Sequence, residues 1–134
     1  MLTTQSLDLD FAEAQKRIVR FIKDYFENAG SKGIVLGLSG GVDSSVTAAL
    51  SSQAIGGENV LALLMPEKET FKQQDLDDAK TIADMFHLKT ETADMTKVLD
   101  GFYQSIPAFD SADRLCKGNV KARTAHVHQN QVAV

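Results

Sequence analysis

From Asp10 onward the apolar residues Phe11, Ala14, Ile18, Phe21, Ile22, Tyr25, Phe26 and Ala29 recur at intervals of three and four. That spacing paints one face of an α-helix. Asp10 followed by Glu13 resembles a capping box, and Asn28-Ala-Gly30 supplies residues that tolerate the left-handed conformation at a helix end. The helix is therefore predicted over residues 10 to 29.

Gly33-Ile-Val-Leu-Gly-Leu-Ser39 is a nearly continuous apolar run, the pattern of a strand covered on both faces, and predicts a short strand in the centre of its sheet. Ser39-Gly-Gly-Val-Asp-Ser44 breaks it, and Val46, Ala49, Leu50 and Ile55 mark the apolar side of a helix that stops at Gly56-Gly57. Asn59 to Pro66 repeats the buried-strand pattern. The polar run Glu67 to Gln74 reads as a loop, and Leu76, Ala79, Ile82, Ala83 and Phe86 form the next helical face. Lys89 to Ala93 is predicted as a third strand and Thr96 to Ser105 as a shorter helix before Pro107. Asp113 to Arg123 is predicted as a last helix interrupted by Gly118. A helix followed by three strand–helix units calls for an α/β fold: a doubly wound, mostly parallel sheet with helices on both faces and right-handed crossovers.

The 134 residues leave room for about one domain, and 43% hydrophobic with 24% charged residues excludes disordered, collagen-like and coiled-coil chains. Internal repeats, low-complexity runs and domain linkers are absent from the sequence. Lys and Arg number 14 against 18 Asp and Glu, a net charge of −4. Such a chain lacks the broad positive field that holds polymeric nucleic acid, but a small anionic ligand remains compatible with it. The longest apolar stretches, such as Val60 to Met65, fall far short of the ~20 residues needed to cross a bilayer. Met1 to Asp10 has neither a basic start nor a sustained apolar run, so the expected location is the cytoplasm. The single cysteine, Cys116, cannot form an internal disulfide, which fits a reducing compartment; its plain reading is a small half-buried side chain.

Ser39-Gly-Gly-Val-Asp-Ser44-Ser45 joins the first strand to its helix, the kind of junction at which doubly wound folds bind ligands. Gly40 and Gly41 are expected to adopt backbone angles closed to other residues and to let phosphate approach the amide N–H groups. The helix amino terminus adds unpaired N–H groups and partial positive charge, and Ser39, Ser44 and Ser45 offer hydroxyl donors. No lysine follows the glycines, so this is not a Walker loop, and it is not the dinucleotide G-x-G-x-x-G pattern. Asp43 has two compatible readings: a ligand for magnesium, which would neutralise a carboxylate beside polyphosphate, or a helix cap, a role that either it or Ser44 could fill. A plain tight turn is the alternative for the whole segment.

This loop after a buried strand resembles the pyrophosphate loop of the N-type ATP pyrophosphatases, whose fold is of the adenine nucleotide alpha hydrolase type. Leu64-Met-Pro66, the helix start Asp75-Leu-Asp-Asp-Ala79 and Lys117-Gly-Asn-Val-Lys-Ala-Arg-Thr124 narrow the resemblance to ammonia-dependent NAD synthetase, over residues 10 to 124. The resemblance implies a ligase reaction. The carboxylate of deamido-NAD attacks the α-phosphorus of ATP and releases pyrophosphate, and ammonia then displaces AMP to give NAD. Carried onto this sequence, Gly37, Leu38, Ser39, Gly40, Gly41, Val42, Asp43 and Ser44 hold ATP, Asp43 holds Mg2+, and Asn119, Lys121 and Arg123 bind deamido-NAD near the interface of a homodimer. No side chain is assigned as a nucleophile. Arg114, Lys117, Lys121 and Arg123 concentrate positive charge suited to a pyrophosphate bridge, against the alternative of a solvated basic helix end.

After Thr124 the resemblance stops. The family continues with a second Arg and Met and a long carboxy-terminal half, whereas this sequence reads Ala125 to Val134 with no charged residue other than two histidines. Residues 1–124 are thus expected to form an incomplete nucleotide-binding domain and 125–134 an atypical tail, with a frameshift or truncated gene model after Thr124 as the hypothesis. A family-like continuation in another reading frame of the downstream DNA tests it. Such a chain would bind ATP without making NAD. His126 and His128 lack the further ligands that zinc requires, and His87 reads as a helix-end residue. Other ATP pyrophosphatases, of the GMP-synthetase or tRNA-thiolation kind, and a noncatalytic nucleotide-binding fragment are the remaining readings. No glutaminase domain is present in this sequence.

Overall fold

The computed structural model describes residues 10–68, 72–105 and 114–132. Helix α1 spans Phe11–Ala29. Asp10 caps it, its carboxylate accepting the Glu13 N–H at 3.0 Å, and Gly30 ends it at φ 61°. Glu13 completes only half of a capping box, because its own carboxylate pairs with Arg17 Nε at 2.8 Å.

Three strands follow, β1 (Ile34–Gly37), β2 (Val60–Leu64) and β3 (Lys89–Thr92), with helices α2 (Val42–Ile55) and α3 (Gln73–Met85) as the two crossovers. The sheet is parallel throughout. Ile34 lies opposite Val60 and Gly37 opposite Leu63, while Leu61 lies opposite Lys89 and Leu64 opposite Thr92. The strand order β1-β2-β3 puts β2, not β1, at the centre among the described residues. This corrects the central placement expected for β1, and burial gives the reason: four of the five residues of β2 are buried but only Leu36 within β1. All four residues of β3 are exposed, and the charges of Lys89 and Glu91 suit an edge strand.

Alternation along β2 sends Val60, Ala62 and Leu64 to one face, where they join Leu36, Leu38, Ala48, Ala79, Ala83 and Leu88 in the core. Leu63, 1% exposed, points to the opposite face, so both faces of the central strand are covered. Helix α2 meets the sheet through small residues, with Ala48, Ser51 and Ala54 buried and Val46 51% exposed. Its buried side is therefore rotated from the one that Val46, Ala49 and Leu50 predict. Small side chains let helix and sheet approach closely, so bulk is not the guide to the buried face here.

Helix α4 spans Thr96–Ser105, as the sequence predicts, and α5 runs from Arg114 to Val132. Gly118 does not interrupt α5: glycine costs a helix interior about 1 kcal/mol, a weakening rather than a break. The compositional change at Thr124 therefore falls inside one continuous helix. Pro107 and the side chains of Arg114, Cys116 and His128 lie outside the described residues or side chains. Among the described residues, no helix is long and apolar enough to cross a membrane.

Candidate functional site

The loop from Gly37 to Ser44 leaves the end of β1 and enters α2 with Gly41 as its N-cap and Val42 as its first residue. Leu38 is 3% exposed and anchors the loop to the core, its N–H donating to Leu63 O at 2.9 Å. Gly40 takes φ 80°, the left-handed region. Gly41, at φ −79° and ψ 162°, is ordinary extended backbone, so the need for special angles expected at both glycines holds at Gly40 alone.

Serines organise the turn. Ser39 N–H donates to Ser44 Oγ at 3.3 Å, Gly41 N–H donates to Ser39 Oγ at 3.3 Å, and the two hydroxyls lie 3.1 Å apart. Ser44 Oγ and Ser45 Oγ both donate to Gly41 O, at 3.0 and 2.8 Å. The Gly41 cap has no side-chain hydrogen bond, so neither Asp43 nor Ser44 performs the capping role open to them in the sequence. The first intrahelical bond is Ser45 N–H to Gly41 O at 3.1 Å. The N–H groups of Val42, Asp43 and Ser44 precede it and, by helix geometry, have no carbonyl of their own helix to meet. Asp43 lies in this first turn with its side chain exposed. One carboxylate among hydroxyls and amides suits Mg2+, which is held by one or two carboxylates together with phosphate oxygens and water. Among the described residues no group of three His, Cys, Asp or Glu side chains comes together as a metal site.

Beside the loop opens a cavity of about 430 Å3, within the usual range for small-molecule sites. Gly37, Leu38 and Ser39 line one side, Met65, Pro66 and Glu67 the segment that follows β2, Asp75 and Leu76 the start of α3, Met95 the approach to α4 and Leu99 its first turn, and Lys121, Ala122 and Ala125 one face of α5. Gly40 and Val42 face a second, shallower depression with Ser45, Val46, Asp78, Thr81 and Ile82. The loop forms the rim between the two.

Of the basic-segment residues, Lys121 reaches the cavity, where its Nζ lies 2.7 Å from Glu67 Oε2. Asn119 and Arg123 are exposed and do not line it; Arg123 Nη1 donates to Asn119 O at 3.2 Å along the helix surface. Lys117 Nζ stands 5.9 Å from the centre of the Tyr103 ring, joining α5 to α4. His87 follows α3 with φ 54° and is exposed. The sequence points to no site role for Asp75, Met95 or Leu99, and places Glu67 at the start of a polar loop that either closes over ATP or serves as a flexible crossover. The available signal for Glu67 was its position immediately after Leu64-Met-Pro66, at the carboxyl end of a buried strand, where such folds gather their ligands.

The NAD synthase family model matches residues 14–134. An NH3-dependent NAD+ synthetase of Methanosarcina acetivorans is 45% identical over 116 residues, which cover 87% of this chain and 45% of that protein. The chain thus spans less than half the length of this relative. An NH3-dependent NAD synthetase structure from Campylobacter jejuni, in complex with nitrate, superposes with TM-score 0.82 at 29% identity, covering 92% of this chain and 52% of that one. A glutamine-dependent NAD+ synthetase from Acinetobacter baumannii, in complex with ADP, gives TM-score 0.86 at 32% identity, covering 93% of this chain and 24% of that one. The glycine-loop resemblance, the parallel sheet and these matches agree: the chain belongs to the NAD synthase family.

Proposed function

We propose that this chain carries the ATP-binding portion of an NAD synthetase, a carbon–nitrogen ligase that adenylates the carboxylate of deamido-NAD and amidates it with ammonia. The observation that carries this reading is the Gly37–Ser44 loop, whose first half, Gly37 to Ser39, lines a cavity of about 430 Å3 and whose second half leads into the first-turn N–H groups of α2. Those N–H groups and the positive end of the helix suit the β- and γ-phosphates, where negative charge grows as pyrophosphate leaves. Gly37, Leu38 and Ser39 form the wall that the nucleotide meets; Gly40, Gly41, Val42, Asp43 and Ser44 form the rim. Asp43 would hold Mg2+, which would supply charge neutralisation for the departing pyrophosphate. Lys121 meets an anionic group of a substrate from the α5 side, and Asn119 and Arg123 extend that basic surface outward. Catalysis here is positioning and electrostatic stabilisation, with no side-chain nucleophile.

The full assembly is a homodimer on this reading. Supporting it, Phe11, Phe21 and Tyr25 of α1 are 80%, 68% and 69% exposed, and Val42 of α2 is 77% exposed. Apolar surface of this kind marks an interaction face.

Calorimetric titration of the purified chain with α,β-methylene-ATP, with and without Mg2+, tests the nucleotide assignment. Binding that strengthens with Mg2+ is the expected result; a folded chain that gives no heat with either would sink it.

A further inference from the structure

Glu67 is 9% exposed, a carboxylate buried at the edge of the cavity. A buried charge is costly unless paired, and Lys121 Nζ pairs with it at 2.7 Å, the two side chains being 10% and 23% exposed. The two partners are held differently. Glu67 sits on pinned backbone: Pro66 O accepts the Met95 N–H at 3.0 Å, and the Lys68 N–H donates to Thr96 Oγ1 at 3.2 Å. Lys121 projects from α5 on a flexible four-carbon stem, its side chain 23% exposed. The pinned carboxylate draws its ammonium to the cavity.

We propose that Glu67 is a positioning residue, setting the Lys121 ammonium inside the cavity where it meets a phosphate group of the bound nucleotide; this rests on the nucleotide-binding reading above. The ammonium carries three protons, so it bridges Glu67 and phosphate rather than exchanging one for the other. The bridge also removes the repulsion that a bare carboxylate would exert on the ligand.

The test uses the full chain and its Glu67→Gln, Glu67→Asp and Lys121→Met variants, the Glu67→Gln/Lys121→Met double variant, and the exchanged pair Glu67→Lys/Lys121→Glu. Affinity for α,β-methylene-ATP is measured by calorimetry, and amide hydrogen exchange along α5 reports helix docking without ligand. Glu67→Gln is expected to weaken nucleotide binding at least tenfold, and the double variant to bind no more weakly than Lys121→Met alone. Glu67→Asp, which keeps the charge, recovers part of the affinity and carries the test if Glu67→Gln does not fold. The exchanged pair restores α5 protection but not affinity, because the ammonium then projects from the segment that follows β2.

Unchanged or tighter binding by Glu67→Gln overturns the proposal, as do losses that multiply in the double variant or full affinity in the exchanged pair. If the wild-type chain ignores the nucleotide, the nucleotide reading is what fails. Hydrogen exchange then decides the pair itself: equal, non-additive loss of α5 protection in the single variants supports Glu67 placing Lys121, and additive loss overturns it.

Discussion

The backbone carbonyl of Asp75 lies so close to Gly40 that a Cβ on Gly40 would come within 2.5 Å of the carbonyl oxygen. Gly40 also has φ 80°, so crowding and conformation both require glycine where the start of α3 presses on the loop. Gly41 is free of both demands: a Cβ there would meet only Ser39 Oγ, at 3.4 Å. The two adjacent glycines, equivalent in the sequence, differ in what the fold asks of them.

Gly40→Ala is accordingly expected to lose about 2–4 kcal/mol of stability, from a strained φ together with displacement of backbone. Gly41→Ala is expected to lose about 1 kcal/mol or less, the ordinary penalty for alanine at an N-cap. Urea denaturation of the two variants measures the difference, and equal losses would contradict it.

Ser44→Ala removes one hydroxyl that accepts from Ser39 N–H and donates to Gly41 O. The expected cost is about 0.5–1.5 kcal/mol, the usual net value of an exposed or half-buried hydrogen bond. Nucleotide affinity should fall further than stability, because Ser39 and the start of α2 lose their common brace. Thermal melts and calorimetry on one preparation separate the two effects.

Asp43→Asn probes the metal. Asp43 is exposed and caps nothing, so stability should stay within about 0.5 kcal/mol of wild type. The strengthening of nucleotide binding by Mg2+ should disappear. A variant that still responds fully to Mg2+ would place the ion on other ligands.

The exposed stripe of α1 gives a prediction about assembly. Phe21 and Tyr25 stack loosely, with ring centroids 6.1 Å apart, on a face that α2 does not cover. Phe21→Glu with Tyr25→Lys should leave the chain folded and, by sedimentation velocity, monomeric at concentrations where wild type is dimeric. A wild-type chain that is monomeric throughout removes the homodimer from the proposed function.

How much of this was legible beforehand depended on the kind of signal. The element order, the α1 boundaries and α4 followed from periodicity and caps, because Asp10, Gly30 and Gly56 act locally. The buried side of α2 was not legible, since Ala48, Ser51 and Ala54 carry little hydrophobic signal and are buried by what packs on them. Strand order was misjudged for a related reason: apolar content in β1 and β2 is similar, and only tertiary pairing distinguishes edge from centre. Ser39 to Ser44 was readable as a loop with chemistry, but not its serine network. Glu67 stood in a polar run that reads as a loop, and only the fold brings it to Lys121, 54 residues away.

The loop end of β2 is held by the Asp94–Thr96 turn, and this makes its order depend on pH. The Thr96 hydroxyl and backbone N–H both bond the Asp94 carboxylate, the latter at 2.9 Å, and hold its pKa below the ordinary 3.8. Thr96 Oγ1 in turn accepts the Lys68 N–H, so the turn steadies the backbone that carries Glu67. A carboxyl whose pKa is lower in the folded than in the unfolded chain favours folding fully above its unfolded value. That contribution fades as pH falls through the folded pKa. Amide exchange at Lys68 and Thr96, followed below pH 4, should therefore show protection falling before the core strand β2 opens. Asp94→Asn should lower that protection already at neutral pH and remove its acid dependence; retention of the dependence in this variant would assign it to another carboxylate.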